Sequence, residues 1–313
     1  MKRLFAAAAL IFGFAFSSIA PAAAQELKNS GKGSVGDEVG IASFTVAFFH
    51  VKKDKMRTFD GGRKSMEVAL SGLTADQLQK VTEVAYESFV SDLETAGVAV
   101  RDRAGLAAAL EEGGKLKPFD QGHEVKMYFG RNKADGKVLL FTPTAFGGPV
   151  PNRDHEGLAL MFRGFQMMKV MPGALHFEAV TKKYAKENGV AVINPLIVID
   201  FADFDTYDGK YVKAVEAQSS LAVTGKESGV NQTSVQFYGA NGKMGRIVMQ
   251  DSLAVAGGFG RIEKGGGVPL GQLMGLSTKS KYAFAANKSQ WVSGMAELLT
   301  AVSPALAKAM ATR

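Results

Sequence analysis

The chain has 313 residues, 46% of them hydrophobic and 21% charged, with a formal charge of +7 and no cysteine. The missing cysteines exclude disulfides, thiol catalysis, thiolate metal sites and a lipid-modified N-terminal cysteine, so stability must come from packing alone. Basic residues are dispersed among acidic ones, which excludes a nucleic-acid stripe and leaves only a general preference for anionic envelope polymers.

Residues 1–24 read as an export signal. Lys2 and Arg3 form a positive start, Leu4 to Ile19 a nearly unbroken apolar run, and Ala22-Ala23-Ala24 a small-residue cleavage site ahead of Gln25. The run is short for a membrane span of ~20 residues, so cleavage after Ala24 and a periplasmic or secreted protein are expected. Residues 25–40, QELKNSGKGSVGDEVG, are polar and Gly-rich and predict a flexible lead-in. Residues 41–313 are then expected to form one α/β domain.

The first packed element is a buried strand over residues 41–51, β-branched and aromatic. Thr74 with Gln77 three residues later makes a capping box, and Leu78, Val81, Ala85, Phe89, Leu93 and Ala96 recur at helical spacing until Gly97. A short strand at 98–100 and an Ala- and Leu-rich helix at 104–112 follow, so the order is strand, helix, strand, helix. Residues 124–142 predict a hairpin turned at Asp135-Gly136, and a second amphipathic helix is expected from Pro172 to Gly189. Period-two alternation then predicts four antiparallel strands, at 191–206, 211–224, 232–240 and 243–256, with Asp208-Gly209 and Asn241-Gly242 as turns. GGFGRIEKGGGVPLGQLMG after them reads as a Gly-rich loop. A helix at 287–310 closes the chain, its apolar face running through Trp291, Met295, Leu298, Val302 and Leu306. The fold class is α/β (α+β): helices packed on a mixed sheet, with a C-terminal antiparallel meander and a terminal helix.

Reactive chemistry is scarce in this pattern. His50, His123, His155 and His176 have no second histidine at ligand spacing, so no metal is expected. Asp200, Asp203, Asp205 and Asp208 do not match a calcium loop and read as a solvated strand edge. The glycines at 257–267 lack G-K-[ST], and Gly-x-Ser-x-Gly is absent, so neither a phosphate cradle nor a serine nucleophile is indicated, and no catalytic residue or cofactor is assigned. What stands out is an apolar, Met-rich stretch: Met161, Phe162, Phe165, Met167, Met168 and Met171. It reads either as ordinary core or as an adaptable contact surface. With Phe259 and Arg261 of the Gly-rich segment it forms the candidate interaction surface, because irregular segments on a rigid scaffold tend to carry recognition.

The phrases FTVAFFHV (44–51), LETAGVAVRDRAGLAAAL (93–110) and ENGVAVINPLIVIDFADFD (187–205), followed by paired strands, resemble bacterial envelope proteins related to the curli secretion channel and the penicillin-binding-protein activators. Val98 to Arg103 matches the strand that ends in a V-V-D-R-like phrase, Leu106 to Leu110 the helix after it, and Gly189 to Val198 a later strand phrase. The resemblance implies a role in envelope assembly, secretion or regulation rather than catalysis. The chain lacks the N-terminal cysteine that anchors many of those proteins, and residues 113–170 have no counterpart in the pattern. The expected function is a non-catalytic periplasmic accessory or adaptor that binds an envelope protein, with self-association left open. The alternative is a carrier of a lipid or other small apolar ligand.

Overall fold

Two strands organise the molecule, and both are long because their first halves are apolar on both faces. The computed structural model describes residues 26–57, 63–128, 135–150, 165–208, 213–225, 233–255, 258–264 and 277–313. In chain order the strands are β1 (Leu27–Gly31), β2 (Glu38–Ile41), β3 (Thr45–Arg57), β4 (Arg63–Ser71), β5 (Ala99–Val100), β6 (His123–Tyr128), β7 (Asp135–Phe141), β8 (Ala191–Asp208), β9 (Lys213–Val223), β10 (Ser234–Tyr238), β11 (Met244–Met249), β12 (Leu253–Val255), β13 (Gly260–Lys264) and β14 (Ser277–Ala286). The helices are α1 (Ala75–Thr95), α2 (Ala104–Glu111), α3 (Phe165–Asn188) and α4 (Lys288–Ala311). The chain is an α/β protein: helices on a mixed 14-stranded sheet whose main path runs β1-β11-β10-β8-β3-β4-β14-β13.

β3 and β8 lie parallel at its centre, Thr45 to Phe48 facing Leu196 to Ile199. Parallel central strands need cover on both sides, and they have it. On one face Phe44 packs against Tyr86 and Phe89 of α1, and Phe48 against Trp291 of α4. On the other, Val192 and Tyr238 cluster with Leu106 and Leu110 of α2 and Phe177 of α3.

α1 begins as its capping box dictates: the Thr74 side chain accepts from the Gln77 N–H, and the Gln77 amide accepts from the Thr74 N–H at 2.9 Å. It is followed by Gly97 at φ +86°, a conformation costly for any residue with a Cβ. In α4, Asn287 caps the first turn, and Trp291, Met295, Leu298, Val302 and Leu306 are all buried, as the spacing predicts.

Several boundaries differ from the sequence expectation. Residues 25–40 are no plain lead-in: β1 pairs with β11, Leu27 opposite Met249, and β2 pairs in parallel with β5 and β8. These polar segments are strands because neighbouring edges supply backbone partners, not because their side chains prefer it. Asp135-Gly136 is no turn but the start of β7, since Val125 and Val138 must both face the core and their pairing pulls Asp135 opposite Tyr128. α3 starts seven residues before Pro172, which lies inside the helix. Part of the supposed Gly-rich loop is β13, paired with β14, a strand the sequence reading missed. The C-terminal antiparallel strands do not follow a simple linear order, since β9 and β10 both pair with β8.

Candidate interaction surface

Beyond Phe48 and Ile199 the two central strands part. β3 takes β4 as its partner, and β8 continues with β9. The register shifts at the fork on both sides, between Phe49 and Val51, where the extra residue lies in β3, and between Asp200 and Ala202, where it lies in the partner strand β9; such bulges bend a strand and increase its twist. Phe201 and Phe284 meet across the opening with ring centroids 5.4 Å apart.

Strand directions then decide where the hairpins point. Arg57 faces Arg63 at the closed end of β3–β4. Lys52 faces Gly136 of antiparallel β7, so β6–β7 closes at the same end. β8 is parallel to β3 and closes with Asp208 opposite Lys213, and β14 is parallel to β4 with Ser277 opposite Arg63. Four hairpins thus close at one end of the sheet, away from the end where α1 begins.

The neck below that end is lined with charge. Lys52 Nζ lies 2.7 Å from Asp200 Oδ2 with both side chains nearly buried, and it also donates to the Ala202 carbonyl. Asp200, expected on a solvated edge, is instead a buried ion-pair partner whose Oδ1 accepts from the Phe201 N–H at 2.7 Å. Lys53 pairs with Glu67 at 2.9 Å and Lys137 with Glu124 at 2.8 Å. Skipped by the register at the bulge, His50 lies 3.0 Å from Glu124. Burial holds the His50 imidazole below the usual histidine range, against the pull of Glu124 and with the push of Lys137. For Glu124, burial pushes the carboxyl up, but Lys137 and His50 together bring it below the usual range. His123 is also held low, chiefly by burial, and stacks on Phe119 with ring centroids 4.1 Å apart.

A second polar group ties the 144–146 turn to α1. Glu83 accepts from the Thr144 hydroxyl at 2.6 Å, the Thr144 N–H at 2.8 Å and Gln79 Nε2 at 2.8 Å. Nearby, the Arg103 guanidinium lies 4.2 Å from the Phe146 ring centre.

Of the residues singled out from sequence, Met161 and Phe162 lie outside the described residues, as does His155. Phe165, Met167 and Met168 open α3, described there by backbone alone, and Met171 is half-buried in the same helix. Phe259 is a correction: it is 5% exposed, seated against Gly294 of α4 and held by the Asn287 N–H bonded to its carbonyl. Arg261 is outward, its side chain 84% exposed and paired with Glu263 at 3.0 Å. His176 lies 3.2 Å from the Leu110 carbonyl between α3 and α2. Among the described residues no group of three or more His, Cys, Asp or Glu could hold a metal, and no helix is long and apolar enough to cross a membrane, which says nothing of crossing by strands. Sequence reasoning missed the shared hairpin end; its one local signal was the alternation in STKSKYAFAA, the stretch that forms β14.

No protein-family model matches the chain, and no curated protein and no solved structure matches it either. Its class therefore rests on architecture alone: an α/β protein with a helix-covered body and four hairpins closing at one end.

Proposed function

We propose that this protein is an exported, non-catalytic accessory or adaptor of the bacterial cell envelope, acting by protein binding, with its hairpin end as the contact surface. The observation that carries the reading is the common direction of the four hairpins. Strand ends set side by side on a rigid body form a broad, composite platform, the arrangement by which folds present recognition segments. The charged neck supports it, because the Lys52–Asp200, Lys53–Glu67 and Lys137–Glu124 pairs tie neighbouring strands together beneath that end. Export is supported by Lys2, Arg3, the apolar run and Ala22-Ala23-Ala24, and by the Glu26 carbonyl accepting from the Gln250 N–H, which anchors the chain just past the expected cut.

The test is a pull-down from a bacterial envelope fraction with the processed chain as bait, read by mass spectrometry for proteins and co-purifying lipids. The expected result is a defined envelope protein, lost with the Lys279→Glu/Lys281→Glu variant at the hairpin end. Recovery of stoichiometric lipid without protein would replace the adaptor reading with the carrier. N-terminal sequencing of the exported chain should begin at Gln25.

A further inference from the structure

β1 closes one side of the sheet: it stands at the end of the main strand path, and its only pairing is with β11. The bonds at its two ends show which backbone groups that pairing uses. The Gln250 N–H donates to the Glu26 carbonyl and the Lys32 N–H to the Met244 carbonyl, so the even-numbered residues from Glu26 to Lys32 face β11. The N–H and C=O groups of Leu27, Asn29 and Gly31 therefore point away from the sheet. Among the described residues only the Gly31 carbonyl of that row has a partner, accepting from the Arg313 guanidinium at 3.1 Å. Leu27 is half-buried, and Lys28 to Gly31 are exposed.

A free row of this kind is a template for another strand, and lysine is a common guard against it. Lys28 is the one charged residue inside β1, yet two copies of the strand can meet without setting it against itself. Run antiparallel about a two-fold axis at Asn29, Leu27 stands opposite Gly31, Lys28 opposite Ser30 and Asn29 opposite Asn29. The outward-pointing residues then coincide with the hydrogen-bonded pairs of an antiparallel ladder.

The same register brings opposite charges together just beyond the strand. Glu26 falls opposite Lys32 of the other copy, once at each end of the pairing. Both residues are exposed, and among the described residues neither has an ion-pair partner within its own chain. Opposite charges directly across a ladder stabilise it, and like charges there weaken it.

We propose that β1 is a self-association edge: two copies pair their β1 strands antiparallel across a two-fold axis at Asn29, joining their sheets into one. The patch is the same on both copies, so the interface is isologous and assembly stops at the dimer. Main-chain hydrogen bonds hold the strands, and the two Glu26–Lys32 pairs fix direction and register. The contact spans only Glu26 to Lys32 on each copy, against roughly 20–30 residues a side in a stable interface, so the dimer is weak and exchanges quickly. The inference rests on the backbone and residues of this edge and stands whatever the hairpin end binds.

Sedimentation equilibrium of the processed chain tests it, from about 0.01 to about 1 mM, where a weak dimer shows as a rise in mean mass with concentration. Asn29→Pro removes an outward N–H and leaves the β11 bonds of Lys28 and Ser30 in place. It should be monomeric throughout that range, with an unchanged circular-dichroism spectrum. Glu26→Lys and Lys32→Glu each set like charges opposite one another and should weaken the dimer about three- to tenfold. The exchanged chain, Glu26→Lys/Lys32→Glu, should regain wild-type association to within about twofold. Both positions are exposed and flank β1, so the exchange keeps the test open even where the proline variant does not fold. A wild-type chain that stays monomeric over the whole range, a dimer that persists in folded Asn29→Pro, or an exchanged chain no better than its single variants would overturn the proposal.

Discussion

The fork between β3 and β8 should depend on the Lys52–Asp200 pair, and the dependence can be worked from its geometry. Both side chains are nearly buried, 13% and 12% exposed, so solvent screens the 2.7 Å contact little. Lys52→Met keeps the apolar stem and removes the charge, leaving Asp200 Oδ2 without its 2.7 Å ammonium partner while Oδ1 keeps the Phe201 and Ala202 N–H groups. Breaking a buried pair at one partner costs about 3–5 kcal/mol, and the retained Phe201 N–H places this case near the lower end, at about 3 kcal/mol. Asp200→Asn should cost a similar amount, because the Lys52 ammonium loses the carboxylate 2.7 Å away. The double variant has no stranded charge, and its cost should fall short of the sum of the singles by at least ~1.5 kcal/mol. Urea unfolding followed by the fluorescence of Trp291, the sole tryptophan and a core residue, measures all four corners of the cycle. Raising the salt should leave the coupling nearly unchanged. A Lys52→Met cost under ~0.5 kcal/mol, or singles that simply add, would refute a buried pair that holds the fork together.

Three other outcomes follow from the same packing. Thr74→Ala removes the acceptor for the Gln77 N–H and should lower stability by about 1 kcal/mol in the same urea assay. Gly245→Ala drives a methyl group into the Phe237 ring and should cost roughly 1–3 kcal/mol, with Phe237→Leu in the same chain recovering part of the loss. Because burial depresses the His50 pKa from 6.5, the unfolded chain binds the proton first as pH falls; the stability His50 contributes is whole above that value and is lost progressively below it. Thermal melts across the weakly acidic range should therefore fall less steeply for His50→Gln than for the unaltered chain, and parallel curves would show that His50 does not titrate in this way.

The legible parts of the fold are those whose signal is local. A capping box and six apolar residues at helical spacing define α1, and the face from Trp291 to Leu306 defines α4, because a helix closes its hydrogen bonds within its own segment and needs only one face to bury. The apolar runs that become β3 and β8 are legible for a similar reason, being too rich in branched and aromatic residues to stay wet. β1, β13 and β14 escaped because a strand's hydrogen bonds belong to its partner: LKNSG is a strand only beside Met244–Met249, and STKSKYAFAA only beside β4. The Met- and Phe-rich stretch drew attention as a surface on composition alone, yet Phe259, grouped with it, is core because Gly294 leaves room for its ring.

By itself, then, the amino-acid order determined the α/β class, the two helices of the main core face and the absence of cysteine chemistry, all properties carried by contiguous residues. Tertiary structure alone decided that four hairpins close at one end and that Asp200 is buried against Lys52. Strand direction and register set these, and both are determined by which distant segments pair, a choice made by the core as a whole and written in no single stretch of chain.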